Sequence, residues 1–113
     1  INNRCRQEHV TALTALVDNV LDPLRTWWGK PITVNSGYRC PELNAAVKGS
    51  KTSQHMVGEA ADIDTGDRQQ NKLLFEYIRK NLPYDQLIDE SNFAWVHVSY
   101  RADGANRKQM LSL

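Results

Sequence analysis

Residues 53–64 read SQHMVGEAADID and lead from a polar loop into a short strand. From residue 59 onward the side chains alternate, so Ala61 and Ile63 share one face and Asp62 points to the other. The stretch therefore predicts a half-buried strand that presents a carboxylate on the face opposite its apolar residues, with His55 in the loop before it.

A second stretch, WVHVS at residues 95–99, has the same two-residue period. Val96 and Val98 fall on one face, while Trp95, His97 and Ser99 fall on the other. This pattern predicts another strand whose valines pack into the core, and it directs His97 away from that core.

Two amphipathic helices flank these strands, at residues 7–28 and 67–82, because apolar residues recur there at three- and four-residue steps. The apolar positions are Val10, Leu13, Val17, Val20, Leu21, Leu24 and Trp28 in the first and Leu73, Leu74, Tyr77, Ile78 and Leu82 in the second. Asp22 and Pro23 interrupt the first pattern, which predicts one helix with a break or two in sequence, with Asp22 as the N-cap of the latter part. Asp67 is the predicted N-cap of the second helix.

The remaining elements are short. We expect a strand at 31–35, a helix at 41–47, a loop at 49–58, and strands at 84–89 and 95–100 joined by a turn at 90–92. The order helix, strand, short helix, strand, helix, strand, strand predicts an α+β fold with helices packed on a small, mostly antiparallel sheet. The length of 113 residues suits a single domain over residues 1–113.

The composition excludes several classes of protein. Fourteen Lys and Arg residues oppose thirteen Asp and Glu residues, and the basic residues are scattered, so a nucleic-acid partner is not expected. No apolar stretch approaches the roughly 20 residues that span a membrane. The first residues, INNR, lack the apolar core of a signal peptide, but the chain has no initiating Met, so the sequence leaves localisation open.

Cys5 and Cys40 do not form a metal-type pair such as CxxC, and a role in zinc binding is not indicated. They can pair as a disulfide in an oxidising compartment or stay as two buried thiols in a reducing one. The sequence does not decide between the two states.

His55, Asp62 and His97 are candidate metal ligands. If the strands that carry Asp62 and His97 are neighbours in one sheet, the two side chains converge and His55 can close over them. Two imidazoles and a carboxylate suit Zn²⁺, and three protein ligands leave a coordination position open, as in catalytic zinc sites. The spacing alone also allows a loop histidine, a solvated carboxylate and a hydrogen-bonded histidine without a metal.

The motifs Ser-x-His-x-x-Gly-x-Ala-x-Asp at residues 53–62 and WVHVS at 95–99 resemble the signature of the M15 family of zinc peptidases. That family includes D-Ala-D-Ala carboxypeptidases, cell-wall endopeptidases and phage endolysins. NSGYR at 35–39 and YDQLI at 84–88 are similar to the short, phage-like branch of the family. The resemblance runs from about residue 28 to residue 100 and implies a hedgehog/D-Ala-D-Ala-peptidase-like fold.

The resemblance also implies roles for individual residues. Zn²⁺ is expected at His55, Asp62 and His97. Arg39 matches an arginine that lies over the substrate, where a guanidinium can hold a carboxylate or carbonyl and stabilise developing negative charge. Ser53 and Gln54 are weaker candidates for substrate binding, and the Ser53 hydroxyl can equally make a local turn bond.

The general base is not where many M15 enzymes have it. They place a glutamate or aspartate two or three residues before the last histidine, and here those positions hold Trp95 and Ala94. Peptide hydrolysis needs a carboxylate near the attacking water. Glu90 is the predicted replacement, and Asp89, on the opposite face of the same strand, is the second choice.

The function that the resemblance implies is zinc-dependent hydrolysis of an amide bond in peptidoglycan stem or cross-link peptides. The alternative is a non-catalytic, zinc-containing peptidoglycan-binding module, which is expected if no carboxylate lies near the metal. A domain without any metal is expected if the three ligands are far apart. The implied place of action is the cell wall, in the periplasm or outside the cell, for a bacterial or phage-encoded protein that we expect to be monomeric.

Overall fold

The computed structural model describes residues 6–50 and 53–113, which form an α+β fold around one five-stranded sheet. The helices are α1 (Gln7–Leu16), α2 (Asp22–Trp28), α3 (Pro41–Ala46) and α4 (Arg68–Asn81), with a π-helical turn at Val17–Leu21 and a 3-10 turn at Gln54–Val57. The strands are β1 (Thr33–Ser36), β2 (Ala60–Asp64), β3 (Gln86–Glu90), β4 (Trp95–Ser99) and β5 (Gln109–Ser112).

The strand order is β1-β2-β4-β3-β5, and every pair is antiparallel except β3 with β5. Asp62 of β2 and Ile88 of β3 both lie opposite His97 of β4. Glu90 of β3 lies opposite Trp95. Since directly opposed residues share a face, the carboxylates of Asp62 and Glu90 lie on the same face of the sheet as His97.

The other face of the sheet is covered by helices and forms the core. Its main members are Leu16, Val20 and Leu24 from the first helical segment, Leu74 and Ile78 from α4, and Ala61, Ile63, Leu87, Val96 and Val98 from the sheet. The alternation predicted for the two central strands is confirmed. The predicted helical stripes were partly wrong, because Val10 and Leu73 are largely exposed and Leu16 takes the core position.

The first helical segment runs without a break from Gln7 to Trp28 and ends at Gly29, whose φ is +72°. Asp22 is helical and makes no side-chain capping bond, so its prediction as an N-cap was wrong. Its amide donates to the carbonyl of Val17. Pro23 has no amide hydrogen to donate, and it lies at the start of α2, just after the π-helical turn at Val17–Leu21.

Two elements were not predicted. Residues 54–57 form a 3-10 turn in the segment that we expected to be a loop, and β5 follows the last predicted strand. The sequence of β5, QMLS, shows little alternation and its residues are mostly exposed. It pairs in parallel with β3 at the edge of the sheet, a contact that only the tertiary structure creates.

Among the described residues, no helix combines the length and the apolar character that crossing a bilayer would need.

Asp67 caps α4 as predicted, since its carboxylate accepts a hydrogen bond from the amide of Gln70. Cys40 is buried, and Cys5 lies outside the described residues, so the state of this pair stays a prediction.

Candidate metal centre

His55 is held at the start of the 3-10 turn and is almost fully buried. The hydroxyl of Ser53 caps this turn by accepting a hydrogen bond from the His55 amide at 3.2 Å. The imidazole Nδ1 lies 2.7 Å from the carbonyl oxygen of Gly37. Because a carbonyl can only accept, Nδ1 carries the hydrogen, and this leaves the lone pair of Nε2 for a metal.

Asp62 and His97 are brought together by the register of β2 and β4. The Oδ1 atom of Asp62 lies 2.9 Å from Nδ1 of His97 and 3.3 Å from Nε2 of His55. Burial acts to raise the pKa of the Asp62 carboxyl, but the two histidines outweigh it and hold that pKa well below its ordinary value. Asp62 is therefore a carboxylate at neutral pH, as a metal ligand must be.

The three side chains fit a zinc ion. Each offers one ligand atom, and these atoms all lie within 4.8 Å of one another. Two imidazole nitrogens and one carboxylate oxygen form a donor set that Zn²⁺ favours, and the hydrogen bond from His55 to Gly37 is the outer support that zinc-binding histidines usually have. Three protein ligands leave one tetrahedral position for a substrate or water.

The three candidate ligands line a cleft of about 800 Å³, and Glu90 and Arg39 line the same cleft. Burial and the nearby Asp62 charge raise the pKa of the Glu90 carboxyl, while His97, His55 and Arg39 oppose the rise. Glu90 thus lies close enough to the three candidate ligands for their charges to change its pKa. Asp89 is on the other side of the sheet, where it accepts a hydrogen bond from the Ser112 hydroxyl at 2.8 Å.

A family model described as peptidase M15 matches residues 1–99 of the chain. This match covers most of the sequence and includes all three candidate ligands. The chain belongs to the peptidase M15 family. This match confirms the resemblance that the motifs indicated. It identifies the chain as a zinc peptidase domain. Zn²⁺ is the metal that suits the candidate centre.

This M15 domain is also similar to a curated relative, the zinc D-Ala-D-Ala carboxypeptidase of Streptomyces albus G. The two are 38% identical over 76 residues, which cover 58% of this chain. The chain spans only 30% of the length of that relative.

Arg39 and Ser53, two of the substrate-binding candidates, contact each other at the wall of the M15 cleft. A terminal nitrogen of Arg39 donates to the Ser53 hydroxyl at 3.2 Å, and the Arg39 amide donates to the carbonyl of His55 at 2.8 Å. Ser53 therefore makes the local turn bond that we considered for it and supports the arginine as well. The Nε atom of Arg39 is buried and has no hydrogen-bond partner among the described residues.

Gln54, the third candidate, joins the centre to a buried carboxylate that the sequence analysis missed. Its amide nitrogen donates to Asp85 at 2.9 Å and to Glu59 at 3.1 Å, while its oxygen is buried without a partner in the described structure. Asp85 is fully buried and also binds Arg101 and Arg107. The motif YDQLI contained Asp85, but nothing in its pattern indicated burial or these partners.

Proposed function

We propose that this M15 domain is a zinc-dependent hydrolase of amide bonds in peptidoglycan stem or cross-link peptides. The observation that carries the proposal is the convergence of His55, Asp62 and His97 in a cleft that Glu90 also lines. A carboxylate beside an open metal position is what hydrolysis needs and what a binding module does not need. This favours the enzyme over a non-catalytic zinc-containing module.

Zinc bound by the three ligands supplies Lewis-acid polarisation of a carbonyl group and a nucleophile at neutral pH. In the proposed mechanism Glu90 accepts a proton from the attacking water and passes it to the leaving amine. Glu90 lines the same cleft as the three candidate ligands, which places its carboxylate for both steps of this transfer.

Arg39 is the proposed substrate-orienting residue. Its guanidinium is placed by Ser53 and lines the cleft, where its terminal N–H groups can donate to a carbonyl or carboxylate of the peptide. Gln54 lines the same cleft.

The substrate class is proposed from the relative, whose name specifies a D-Ala-D-Ala carboxypeptidase. By analogy, the bond cut here lies in a cell-wall peptide, and the place of action is the periplasm or the exterior of the cell. We also propose that the domain acts as a monomer, since its ligands all come from one chain.

The test combines metal analysis with digestion of peptidoglycan and of D-Ala-D-Ala peptides. We expect one zinc per wild-type chain, release of new amine ends, and loss of this release after chelation with recovery on adding Zn²⁺. His97→Ala should lose both zinc and activity. Glu90→Gln should keep zinc and lose activity by about 10²- to 10⁴-fold, the usual contribution of a general base.

Asp89→Asn is the matched control, because Asp89 neighbours Glu90 in β3 but faces the opposite side of the sheet. It should retain both zinc and turnover. Stoichiometric zinc without any new amine ends would reject the enzyme and favour the binding module. Equal activity of Glu90→Gln and wild type would remove Glu90 as the base.

A further inference from the structure

We propose that the end of the cleft remote from Glu90 is an anion-binding subsite, in which Arg101 and Arg107 receive a carboxylate of the peptide substrate. Both residues line the same cleft as the metal ligands. This inference rests on the proposed function and specifies the kind of peptide that the domain prefers, namely one with an acidic residue on the acyl side of the bond that is cut.

The subsite is built on Asp85, which is fully buried beneath the two arginines. Arg107 binds it through Nε at 3.0 Å and Nη2 at 2.8 Å, and the Arg107 amide donates to it at 2.9 Å. The Nε atom of Arg101 lies 3.3 Å from the same carboxylate. The two guanidinium groups are thus held in place before any ligand arrives.

The two arginines share the Asp85 carboxylate, and the Glu59 carboxylate, which binds the same Gln54 amide nitrogen as Asp85, also acts on the charge of Arg107. The arginines remain the groups of this cluster that reach the surface of the cleft. The side chains of Arg101 and Arg107 are 36% and 46% exposed, whereas Asp85 has no exposed surface. Within the described structure, Arg101 offers both Nη atoms and Arg107 offers Nη1, which is the forked geometry that a carboxylate fits.

The loop that carries the first arginine is itself ordered by hydrogen bonds. Asn106 binds the amide of Arg101 at 2.8 Å and its carbonyl at 3.3 Å. Asp103 accepts a hydrogen bond from the Ala105 amide at 2.9 Å. A guanidinium on such a closed loop loses less freedom on binding than one on an open surface loop.

The strands place this subsite relative to the reacting bond. The Asp85 amide donates to the carbonyl of Ser99 at one end of β4, and Glu90 is level with Trp95 at the other end. His97 lies between Ser99 and Trp95. Two residues of a strand span about 7 Å, so Ser99, to which Asp85 is bound, lies about two residues of an extended peptide from His97.

This arrangement indicates which half of the peptide substrate lies at which end of the cleft. The leaving amine must lie within reach of Glu90, which in the proposed mechanism supplies its proton. The acyl half then extends toward Ser99 and the arginines. The carboxylate that fits belongs to the second residue on the acyl side of the scissile bond.

The test uses two peptides of nearly the same shape, acetyl-Glu-D-Ala-D-Ala and acetyl-Gln-D-Ala-D-Ala. We expect the zinc-loaded wild type to cleave the glutamate peptide with a kcat/KM about fivefold higher, mainly through KM, as one charge pair at a partly exposed site would give. Arg101→Gln should abolish this preference, and Arg101→Lys should keep part of it. Lys80→Gln, an equal loss of charge on the far surface of α4, should leave it unchanged.

Equal kcat/KM for the two peptides, or a preference that survives in Arg101→Gln, would overturn the subsite while leaving the peptidase intact. If the wild type cleaves neither peptide, the proposed function fails for this substrate, and the subsite is judged by binding. Calorimetric titration with acetyl-Glu-D-Ala and acetyl-Gln-D-Ala should then still show tighter binding of the glutamate ligand that Arg101→Gln removes. Equal affinities in that titration would reject the subsite.

Discussion

Single residues around the metal centre act mainly by fixing the 3-10 turn that carries His55. Ser53 caps the turn, Gly37 receives the imidazole hydrogen, and Gly58 ends the turn with a φ of +76°. A Cβ atom on Gly58 would lie 2.5 Å from the carbonyl oxygen of His9, so the turn packs directly on the backbone of α1. The glycine is needed both for its left-handed backbone and for this close approach.

Gly58→Ala should therefore lower the free energy of unfolding by more than the left-handed conformation alone costs. That conformation costs about 1–2 kcal/mol for an alanine. Gly29→Ala is the matched control, because Gly29 has φ +72° but nothing within 4 Å of an added Cβ. Urea unfolding of the zinc-free proteins should give a clearly larger loss for Gly58→Ala. Equal losses would show that the contact with α1 is unimportant.

At the scale of elements, the start of α4 secures the β3–β4 turn next to Glu90. This turn contains Ser91, Asn92 and Phe93 in succession, all with positive φ values between 50° and 62°. Asn71 of α4 is buried and donates to the carbonyls of Phe93 and Ala94 at 2.9 and 3.2 Å. A strained turn of this kind persists only where its surroundings hold it.

Asn71→Ala should destabilise the protein by about 2–4 kcal/mol, because the buried Asn71 amide makes several hydrogen bonds to partly buried groups that would all be lost. Its partners are the Asp64 carboxylate, the Thr65 amide and the turn carbonyls. Asn81→Ala, which removes an exposed hydrogen bond at the other end of the same helix, should cost less than about 1 kcal/mol. Chemical unfolding measures both variants, and similar losses would contradict the role given to Asn71.

At the scale of the whole molecule, the buried cluster around Asp85 makes the free energy of unfolding depend on pH. Burial acts to raise the pKa of the Asp85 carboxyl, but the hydrogen bonds from Arg107 and Gln54 lower it to about 2. In the unfolded chain the pKa of an aspartate carboxyl is about 4. Asp85 therefore contributes stability above about pH 4, and the contribution is lost as the pH falls toward about 2.

The expected loss over this range is about 2 kcal/mol for Asp85 alone, because the pKa of its carboxyl is about 2 in the folded protein and about 4 in the unfolded chain. Carbon-13 NMR titration of the side-chain carboxyl should give a pKa near 2, and urea unfolding of the zinc-free protein should show falling stability over the same range. Asp62 adds to the fall with the same sign, which is why the site-resolved titration is decisive. A titration of Asp85 near pH 4 would show that its partners do not favour the charged form.

The sequence by itself determined the class of fold, the two central strands with their faces, and the set of candidate ligands. These features follow from local patterns: a two-residue alternation assigns Asp62 and His97 to a face whatever the partner strand is. The capping of α4 by Asp67 was also local and was predicted correctly. Asp22 was misassigned because the same local rule cannot see a π-helical turn that lets the helix continue through Pro23.

Only the tertiary structure decided how these parts meet. Strand register places Asp62 opposite His97 and puts Glu90 on their face, and register depends on pairing between distant residues. The same holds for β5 and for Asp85, whose burial and arginine partners arise from contacts more than fifteen residues apart in the chain. A sequence pattern indicates only to which face of its own element a side chain points. The distance between residues that are remote in the sequence depends on how the elements pack, and so does the chemistry that needs them to be close.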